Sequence, residues 1–293
     1  MNDKTILITG GTGGIGKQTA IALAKMGAQV FVTGRSRVSG EAAVAEIRQA
    51  SGSQKVDLLL ADLSRQADAW VLAEQLTNLV PHLDVLINNA GLAASARVIT
   101  EDGIESNFAV NVLAPFLLTN LLMDLLRASP AARVVNLTGG DIPARLELDN
   151  LQAERSFDGL FSYSQTKLAM MAVMLEFARR VQGSNVTINV CYPGQASTAM
   201  TRGVTPEMLP GPMRLFYPLF RWLTRPDGGK SAVRASRSSV YLASAPELED
   251  VSGKYFDTHC KMVDWPSAVL DESNRKILWE RAATLVDQAQ LRD

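Results

Sequence analysis

The sequence contains few of the residues on which metal and thiol chemistry depend. Among its 293 residues are only two cysteines and two histidines. Cys191 and Cys260 lack metal-ligand spacing, and His82 and His259 are far apart. The sequence therefore contains few of the residues that a zinc site or a Ser-His-Asp triad requires. We therefore predict no metal site, and so few cysteines make a reducing cytoplasm the expected setting.

Long apolar runs and an excess of one charge are also missing. No uninterrupted apolar run approaches the ~20 residues of a membrane span, and we expect no secretory leader before the first strand. Lys and Arg number 29 against 30 Asp and Glu, so no bulk field favours nucleic acid. Because 47% of the residues are hydrophobic, the chain can bury a sizeable core. We expect a cytoplasmic protein with no nucleic-acid partner.

What the chain does contain is a repeated alternation of strand-like and helix-like stretches. Apolar runs predict seven strands, at Thr5–Thr9, Gln29–Thr33, Lys55–Ala61, Val85–Asn88, Arg133–Leu137, Thr187–Tyr192 and Lys254–Phe256. Helical patterns lie between them, at Ile15–Met26, Gly40–Ala50, Asp68–Val80, Ile104–Ala128, Ser162–Val181 and Ser231–Ser244, and a terminal helix runs from about Glu272 to Gln288. The alternation predicts a single α/β domain over residues 1–293, of the doubly wound Rossmann type, with a mostly parallel seven-stranded sheet.

A glycine-rich turn follows the first predicted strand and leads into a helix. Glycines let the backbone approach a diphosphate closely, and a helix N-terminus offers unpaired N–H groups and the positive end of a dipole. Gly10, Gly13 and Gly16 fit one nucleotide fingerprint, whereas Gly10, Gly14 and Gly16 fit another. Both spacings predict a dinucleotide, bound at Gly10, Thr12, Gly13, Gly14 and Ile15.

The end of the second predicted strand indicates which dinucleotide binds. An acid about twenty residues after the turn would hydrogen-bond the adenosine ribose and repel a 2′-phosphate. Here Arg35 and Arg37 follow the strand, with no acid before Glu41. Guanidinium groups pair with phosphate through charge-assisted hydrogen bonds, which favours NADP(H). The alternative is two solvated surface arginines.

Tyr163 and Lys167 stand four residues apart in a predicted helix. That spacing places both side chains on one face. An ammonium group beside a phenol stabilises the phenolate and lowers the phenol pKa toward the working range of an acid/base catalyst. The pair alone is a common pattern, and its context decides what it means.

Together these motifs resemble the short-chain dehydrogenase/reductase family over nearly the full length of the chain. The matching segments are Thr9-Gly10-x-x-x-Gly14-x-Gly16, Asp62-Leu63-Ser64, Asn88-Asn89-Ala90-Gly91, Asn111, Arg133-Val134-Val135-Asn136, Tyr163-x-x-x-Lys167 and Pro193-Gly194. Three further stretches resemble the retinol dehydrogenase-like branch, namely 148–158, 229–241 and 251–256. That branch generally handles lipophilic alcohols, aldehydes and ketones with NADP(H), so the resemblance implies hydride transfer between nicotinamide and a small hydrophobic carbonyl or alcohol substrate.

The resemblance also implies roles for individual residues. Tyr163 would handle the proton, Lys167 would hold the nicotinamide ribose and depress the phenol pKa, and Asn111 would anchor a proton-relaying water. The remaining cofactor contacts are implied at Asp62 and Leu63 beside the adenine, at Asn89, Ala90 and Gly91 beside the ribose, and at Pro193, Gly194 and Thr198, the last on the nicotinamide carboxamide. Relatives are often dimers or tetramers, which makes a homo-oligomer an expectation.

One position departs from the family pattern. Relatives place a serine just after the fifth strand to hydrogen-bond the substrate oxygen, but this chain reads Leu137-Thr138-Gly139-Gly140, with Gly139 in the place of that serine. Loss of such a donor typically costs about two to three orders of magnitude in rate. Three interpretations stay open: a slower reductase, a reductase in which Thr138 substitutes, and a non-catalytic NADP(H)-binding regulatory or scaffold protein. An epimerase or dehydratase on the same fold is a further alternative.

A segment at about 200–228 combines prolines and aromatic residues with interspersed arginines. It follows Pro193-Gly194, where this fold builds its substrate lid, and an apolar lid would suit a hydrophobic substrate and exclude water. The same residues would also fit a subunit interface or, less favourably, a bilayer surface. We predict a lid and do not expect membrane contact. Near the start of the fourth predicted helix, Glu101, Asp102 and Glu105 are expected to be solvated.

Overall fold

A computed structural model describes residues 1–139, 145–209 and 211–286. Gly140, Pro210 and the predicted end of the terminal helix at Gln288 lie outside these ranges. Within them the strands are β1 Thr5–Ile8, β2 Gln29–Gly34, β3 Val56–Leu60, β4 Val85–Asn88, β5 Ala132–Leu137, β6 Val186–Cys191, β7 Tyr255–Phe256 and β8 Met262–Val263.

Helices alternate with the strands as far as β7. Their bounds are α1 Gly14–Lys25, α2 Arg37–Ser51, α3 Gln66–Leu79, α4 Ser106–Phe108, α5 Ala114–Leu121, α6 Met123–Arg127, α7 Gly159–Arg180, α8 Ala199–Arg202, α9 Tyr217–Leu223, α10 Lys230–Ser244, α11 Ser267–Leu270 and α12 Glu272–Leu285. A π-helical turn, Ala109–Leu113, lies between α4 and α5, and short 3₁₀ turns occur at Pro206–Met208, Gly211–Phe216 and Pro246–Leu248.

The strands form one sheet in the order β3-β2-β1-β4-β5-β6-β7-β8. All neighbours are parallel except β7 and β8, which pair antiparallel. The predicted mostly parallel α/β sheet is therefore confirmed, but the count of seven strands is wrong by one. The eighth strand is only two residues long, and Met262 and Val263 are both exposed. So short and exposed a strand has too little apolar pattern to be seen in a sequence.

Both faces of the sheet are covered because successive side chains of a strand point to opposite sides. In β1, Ile6 and Ile8 join the core cluster that includes residues of α1, α2 and α10. Leu7 joins the cluster on the other face, which includes residues of α3, α5, α7 and α12. Continuous apolar strands between two helical layers are typical of doubly wound parallel sheets.

The long helix predicted at Ile104–Ala128 is interrupted, and proline explains part of the interruption. In a regular α-helix the carbonyl of Asn111 would accept a hydrogen bond from the N–H of residue 115, but Pro115 has none. The chain passes instead through the π-helical turn Ala109–Leu113, which contains Asn111. Such turns are rare and frequently mark functional sites.

No helix within the described ranges combines the length and the apolar character needed to cross a membrane.

Candidate functional site

The candidate site lies where the strand order changes direction. The sheet runs outward from β1 to β2 and β3, and then continues on the other side of β1 with β4. Ligands of open α/β sheets bind in the crevice beyond the carboxyl ends of the strands at this point. The glycine turn follows β1, and the loop Asn89–Gly91 follows β4, so both open onto this crevice.

The glycine turn presents the N-terminus of α1 without a side-chain cap. Gly13 is the N-cap residue in an extended conformation, no side chain bonds the first turn, and no acidic residue lies in it. A Cβ built on Gly13 would meet no heavy atom within 4 Å. The space beside Gly13 at the uncapped start of α1 is therefore open, which suits a diphosphate.

Backbone geometry distinguishes the two glycine spacings. Gly10 has a φ of +62° and Gly14 a φ of +51°, in the region that favours glycine. A Cβ on Gly16 would lie 2.5 Å from both Asn89 Nδ2 and the Gly10 carbonyl oxygen. Gly10, Gly14 and Gly16 each need glycine for these reasons, whereas Gly13 has neither a positive φ nor a close neighbour.

Thr9 joins the loop after β4 to the glycine turn. Its hydroxyl accepts hydrogen bonds from the N–H groups of Asn89 and Ala90, both at 3.0 Å. The Asn89 amide donates in return to the carbonyl oxygens of Thr9 and Gly10, at 2.8 and 3.2 Å. These bonds set the width of the crevice before any ligand enters it.

Arg35 and Arg37 lie at the far end of the crevice, after β2, and both are exposed. Arg37 forms an ion pair with Glu41 at 3.5 Å, whereas Arg35 has no ion-pair or hydrogen-bond partner in the described parts of the chain. Arg35 is thus the guanidinium more available to a phosphate, because the charge of Arg37 is partly matched by a carboxylate.

Asp62 and Leu63 follow the neighbouring strand β3. The Asp62 carboxylate accepts from the N–H and the hydroxyl of Ser64 at 3.0 and 2.8 Å, and the Asp62 N–H donates to Asp68. Ala61 donates to the Gly34 carbonyl at 3.1 Å, so this turn lies beside the end of β2. The predicted adenosine-binding residues therefore come together at one corner of the sheet.

The other end of the crevice contains a buried lysine. Lys167 in α7 is 5% exposed, and its Nζ donates to the Leu137 carbonyl at 3.2 Å. Burial lowers the pKa of Lys167 to about 8. A Cβ on Gly91 would lie 3.2 Å from Lys167 Nζ and 3.4 Å from Asn111 Oδ1. The loop after β4, the π-helical turn and α7 thus meet at one point.

Both N–H donors of the Asn111 side chain are used by the protein. Its Oδ1 accepts from the Leu92 N–H at 2.8 Å, and its Nδ2 donates to the Leu92 carbonyl at 2.8 Å and to Thr166 Oγ1 at 2.9 Å. Pro115 has removed the α-helical donor to the Asn111 main-chain carbonyl. That carbonyl is therefore a candidate acceptor for a bound water.

Tyr163 lies against the end of β5. A Cβ built on Gly139 would approach Tyr163 Oη to 2.5 Å and Cζ to 3.5 Å. Thr138 is adjacent, and its N–H continues the ladder to the Cys191 carbonyl at 2.9 Å. Position 139 therefore faces the Tyr163 hydroxyl.

The loop that follows β6 reaches across the glycine turn. Gly194 has a φ of +79°, and Thr198 begins the short helix α8 as its N-cap residue. A Cβ on Gly14 would lie 3.0 Å from Thr198 Cγ2, so Thr198 contacts the start of α1. The loop after β6 thus brings Thr198 beside the glycine turn.

The predicted lid has an apolar outer surface. Leu215, Phe216, Leu219 and Trp222 are 84%, 65%, 53% and 56% exposed. On the inner side, Tyr217 and Phe220 stack with their ring centroids 6.4 Å apart, and the Tyr217 hydroxyl donates to the Val204 carbonyl at 3.2 Å. The segment is therefore attached to the loop that contains Thr198 and α8.

Glu105 is not solvated, contrary to the sequence-based expectation. It is 1% exposed and forms the N-cap of α4, where its carboxylate accepts from the N–H groups of Asn107 and Phe108, each at 2.9 Å. Burial raises the pKa of this carboxyl, and the two N–H donors oppose the shift. Glu105 thus fixes the start of the segment that leads to the π-helical turn.

Sequence reasoning assigned no role to three residues of this site. The Thr9 hydroxyl and the Thr166 hydroxyl hold Asn89 and Asn111; Thr9 begins the glycine motif, and Thr166 lies between Tyr163 and Lys167. Met200 Cε would lie 3.4 Å from a Cβ on Gly91, and no sequence pattern points to that contact. Within the described residues, no three His, Cys, Asp or Glu side chains form a group that would hold a metal ion.

Comparisons with known proteins agree with this geometry. The sequence model of the family described as short chain dehydrogenase matches residues 4–209. Retinol dehydrogenase 13 of Homo sapiens is 38% identical over 285 residues, which cover 97% of this chain and 84% of the relative. Retinol dehydrogenase 14 of Homo sapiens is 37% identical over 304 residues, which cover 98% and 87%.

Solved structures show the same fold. An uncharacterized protein from Mycobacterium Paratuberculosis has a TM-score of 0.76 at 26% identity, covering 97% of this chain and 93% of that chain. The Pseudomonas aeruginosa RhlG/NADP active-site complex has a TM-score of 0.65 at 26% identity, covering 88% and 95%. The chain is therefore an oxidoreductase with a site for a nicotinamide cofactor, and it belongs to the short-chain dehydrogenase family, in its retinol dehydrogenase-like branch.

Proposed function

We propose that the protein is an NADP(H)-dependent oxidoreductase that interconverts a hydrophobic carbonyl compound and the corresponding alcohol. The observation on which this depends is the meeting of Lys167, Asn111 and Gly91 in the crevice at the end of β4, with the uncapped N-terminus of α1 nearby. A buried ammonium group at such a point suits a site where negative charge develops on an oxygen.

The dinucleotide would lie along the crevice. The N–H groups at the start of α1 would bind its diphosphate, Asp62 and Leu63 would lie by its adenine, and Asn89, Ala90 and Lys167 by the nicotinamide ribose, while Pro193, Gly194 and Thr198 cover the nicotinamide. When bound, this cofactor supplies or accepts hydride. Arg35, with Arg37 beside it, would pair with the 2′-phosphate. The RhlG structure, 26% identical, is an active-site complex with NADP, which supports the same choice.

The residues of this chain move the proton. In reduction, Tyr163 donates a hydrogen bond to the substrate oxygen and then its proton; in oxidation it accepts the proton. The Lys167 ammonium stabilises the phenolate that forms. A water on the Asn111 carbonyl would connect Lys167 to solvent. Because position 139 faces the phenol and successive side chains of an extended chain alternate, we assign the substrate oxygen to Tyr163 alone and give Thr138 no direct contact.

A hydrophobic substrate fits the neighbouring lid segment, which has aromatic residues on its inner side. The relatives with 37% and 38% identity are named retinol dehydrogenases, whose substrate is a hydrophobic alcohol. Closure of such a lid would exclude water during the transfer. The lid, the single-domain organisation, the cytoplasmic setting and a dimer or tetramer all stay predictions.

The direct test is a screen of NADPH oxidation with aldehydes and ketones of increasing chain length, followed for absorbance loss at fixed enzyme concentration. We expect kcat/KM to rise with the apolar length of the substrate, because each additional buried methylene contributes about 0.8 kcal/mol. Binding of NADPH without turnover of any of these compounds would reject the proposed activity.

Arg35 provides a test of cofactor choice. We expect Arg35→Asp to weaken NADPH binding by at least about tenfold, because the replacement removes a phosphate partner and adds a like charge, worth about 1.4 kcal/mol or more. NADH affinity should change much less. Fluorescence titration of both nucleotides measures the difference, with Arg127→Asp as a control of equal charge change on α6. An equal loss for the two nucleotides would show that Arg35 does not contact the 2′-phosphate.

A further inference from the structure

The missing side chain at position 139 leaves a volume that the catalytic phenol occupies. A Cβ there would lie only 2.5 Å from Tyr163 Oη, well inside the 3.5–4.0 Å at which non-bonded heavy atoms attract best. Any residue larger than glycine at 139 therefore competes with the hydroxyl of Tyr163 for the same space. Gly139 itself does not have a positive φ, so backbone conformation does not explain why glycine stands here.

The tyrosine has little freedom to withdraw along its helix. It lies one turn after the start of α7, and Thr166 Oγ1 donates to its carbonyl at 2.7 Å. One turn later, the Lys167 ammonium holds α7 to the Leu137 carbonyl at the end of β5. Because the Lys167 bond fixes α7 to the end of β5 one turn beyond Tyr163, a side chain at 139 would displace the phenol by side-chain rotation, away from the strand end.

We propose that Gly139 is a positioning residue, whose missing side chain lets the Tyr163 hydroxyl occupy the end of β5 so that this one phenol holds the substrate oxygen. The inference rests on the proposed function of Tyr163. It reverses the expectation from the family pattern, in which a serine here would add a hydrogen-bond donor and raise the rate. In this chain a serine would move the proton donor.

The experiment combines Gly139→Ala and Gly139→Ser with Tyr163→Phe. On the best substrate of the screen, Gly139→Ala should lower kcat at least about tenfold, since misplacement of a reacting group by about 1 Å can cost 10²-fold. NADPH affinity should stay within about twofold. Gly139→Ser should also fall below the unmodified protein. A kcat for Gly139→Ser above that of the unmodified protein would overturn the proposal.

Thermal unfolding gives a measurement that does not depend on turnover. Gly139→Ala should lower the Tm by about 2 °C or more when Tyr163 is present. In the Tyr163→Phe background it should have little effect, because the nearest remaining ring atom, Cζ, would lie at an ordinary 3.5 Å. Equal losses in the two backgrounds would show that the hydroxyl and position 139 do not compete. If no substrate is turned over, the proposed function fails. The comparison of Gly139→Ala in the two backgrounds still shows whether position 139 and the Tyr163 hydroxyl compete for space.

Discussion

Tyr163→Phe is expected to lower kcat by about 10³–10⁴ while NADPH binds with nearly unchanged affinity. The substitution removes one hydroxyl, and general acid–base catalysis is worth about 10²–10⁴ in rate. The upper part of that range applies because Gly139 provides no second donor, so the hydrogen bond to the substrate oxygen is lost together with the proton. The ring itself remains to pack beside β5.

The measurement is kcat with the best aldehyde or ketone, together with fluorescence titration of NADPH. Tyr241→Phe is a matched control, since it removes a phenol hydroxyl from α10 that bonds Glu247, at 3.0 Å. That control should turn over like the unmodified protein. Turnover by Tyr163→Phe at the rate of Tyr241→Phe would reject Tyr163 as the proton donor.

Lys167→Met should have the second large effect, in opposite directions on activity and stability. We expect turnover to fall at least about 10²-fold, because the variant loses the cation beside the phenolate. The free energy of unfolding at pH 7 should rise, because a pKa lowered from 10.5 to about 8 corresponds to a cost of roughly 3 kcal/mol for burying the charge. Loss of the Lys167 hydrogen bond to the Leu137 carbonyl offsets about 1 kcal/mol of this gain. Methionine has a similar length and carries no charge.

The pH dependence of that difference follows from the direction of the shift. The folded lysine has a pKa of about 8, below its ordinary value of 10.5. Between these values the unfolded chain binds more protons, so the stability of the unmodified protein rises with pH. The penalty is complete below pH 8 and disappears toward pH 10.5. The advantage of Lys167→Met should therefore be largest at neutral pH and vanish near pH 10.5.

Urea unfolding of both proteins from pH 7 to pH 10 measures this difference. Lys55→Met is the control, because Lys55 is exposed and pairs with Asp3 at 3.4 Å, so its replacement should give a small difference. A Lys167→Met protein that is less stable than the unmodified protein at pH 7 would show that the cation is not buried at a cost. The fall in activity would then not be accompanied by a gain in stability, and Lys167 would not be an example of a catalytic residue that lowers stability.

The fold was predictable because it depends on repeated local patterns. Val85–Asn88 was predicted with its observed bounds, and each of the other six predicted strands differs by one residue at one or both ends. These strands are apolar on both faces, which requires two covering layers of helices. The strand β8 was not predictable, since it exists only through pairing with Tyr255 and Phe256.

The site was predictable where the chemistry depends on residue type and less so where it depends on packing. A glycine turn, a pair of arginines and a Tyr-Lys pair can be recognised in the amino-acid sequence itself. The burial of Glu105 is not, because an acidic residue before a helix is equally consistent with a solvated start or a buried N-cap. The opposition of Gly139 and Tyr163 is also a tertiary contact, and it argues against Thr138 as the substitute for serine.

The Asn111 side chain forms two hydrogen bonds with the main chain of Leu92. These bonds affect how substitutions of Asn111 should be understood. Asn111→Ala would release the loop after β4 as well as alter the π-helical turn, so any fall in rate would combine a loosened scaffold with disturbed proton transfer. The main-chain oxygen proposed to bind water is present in every variant. Substitution of Asn111 therefore tests the side-chain hydrogen bonds that support the proton relay. It does not remove the main-chain oxygen that is proposed to bind the relaying water.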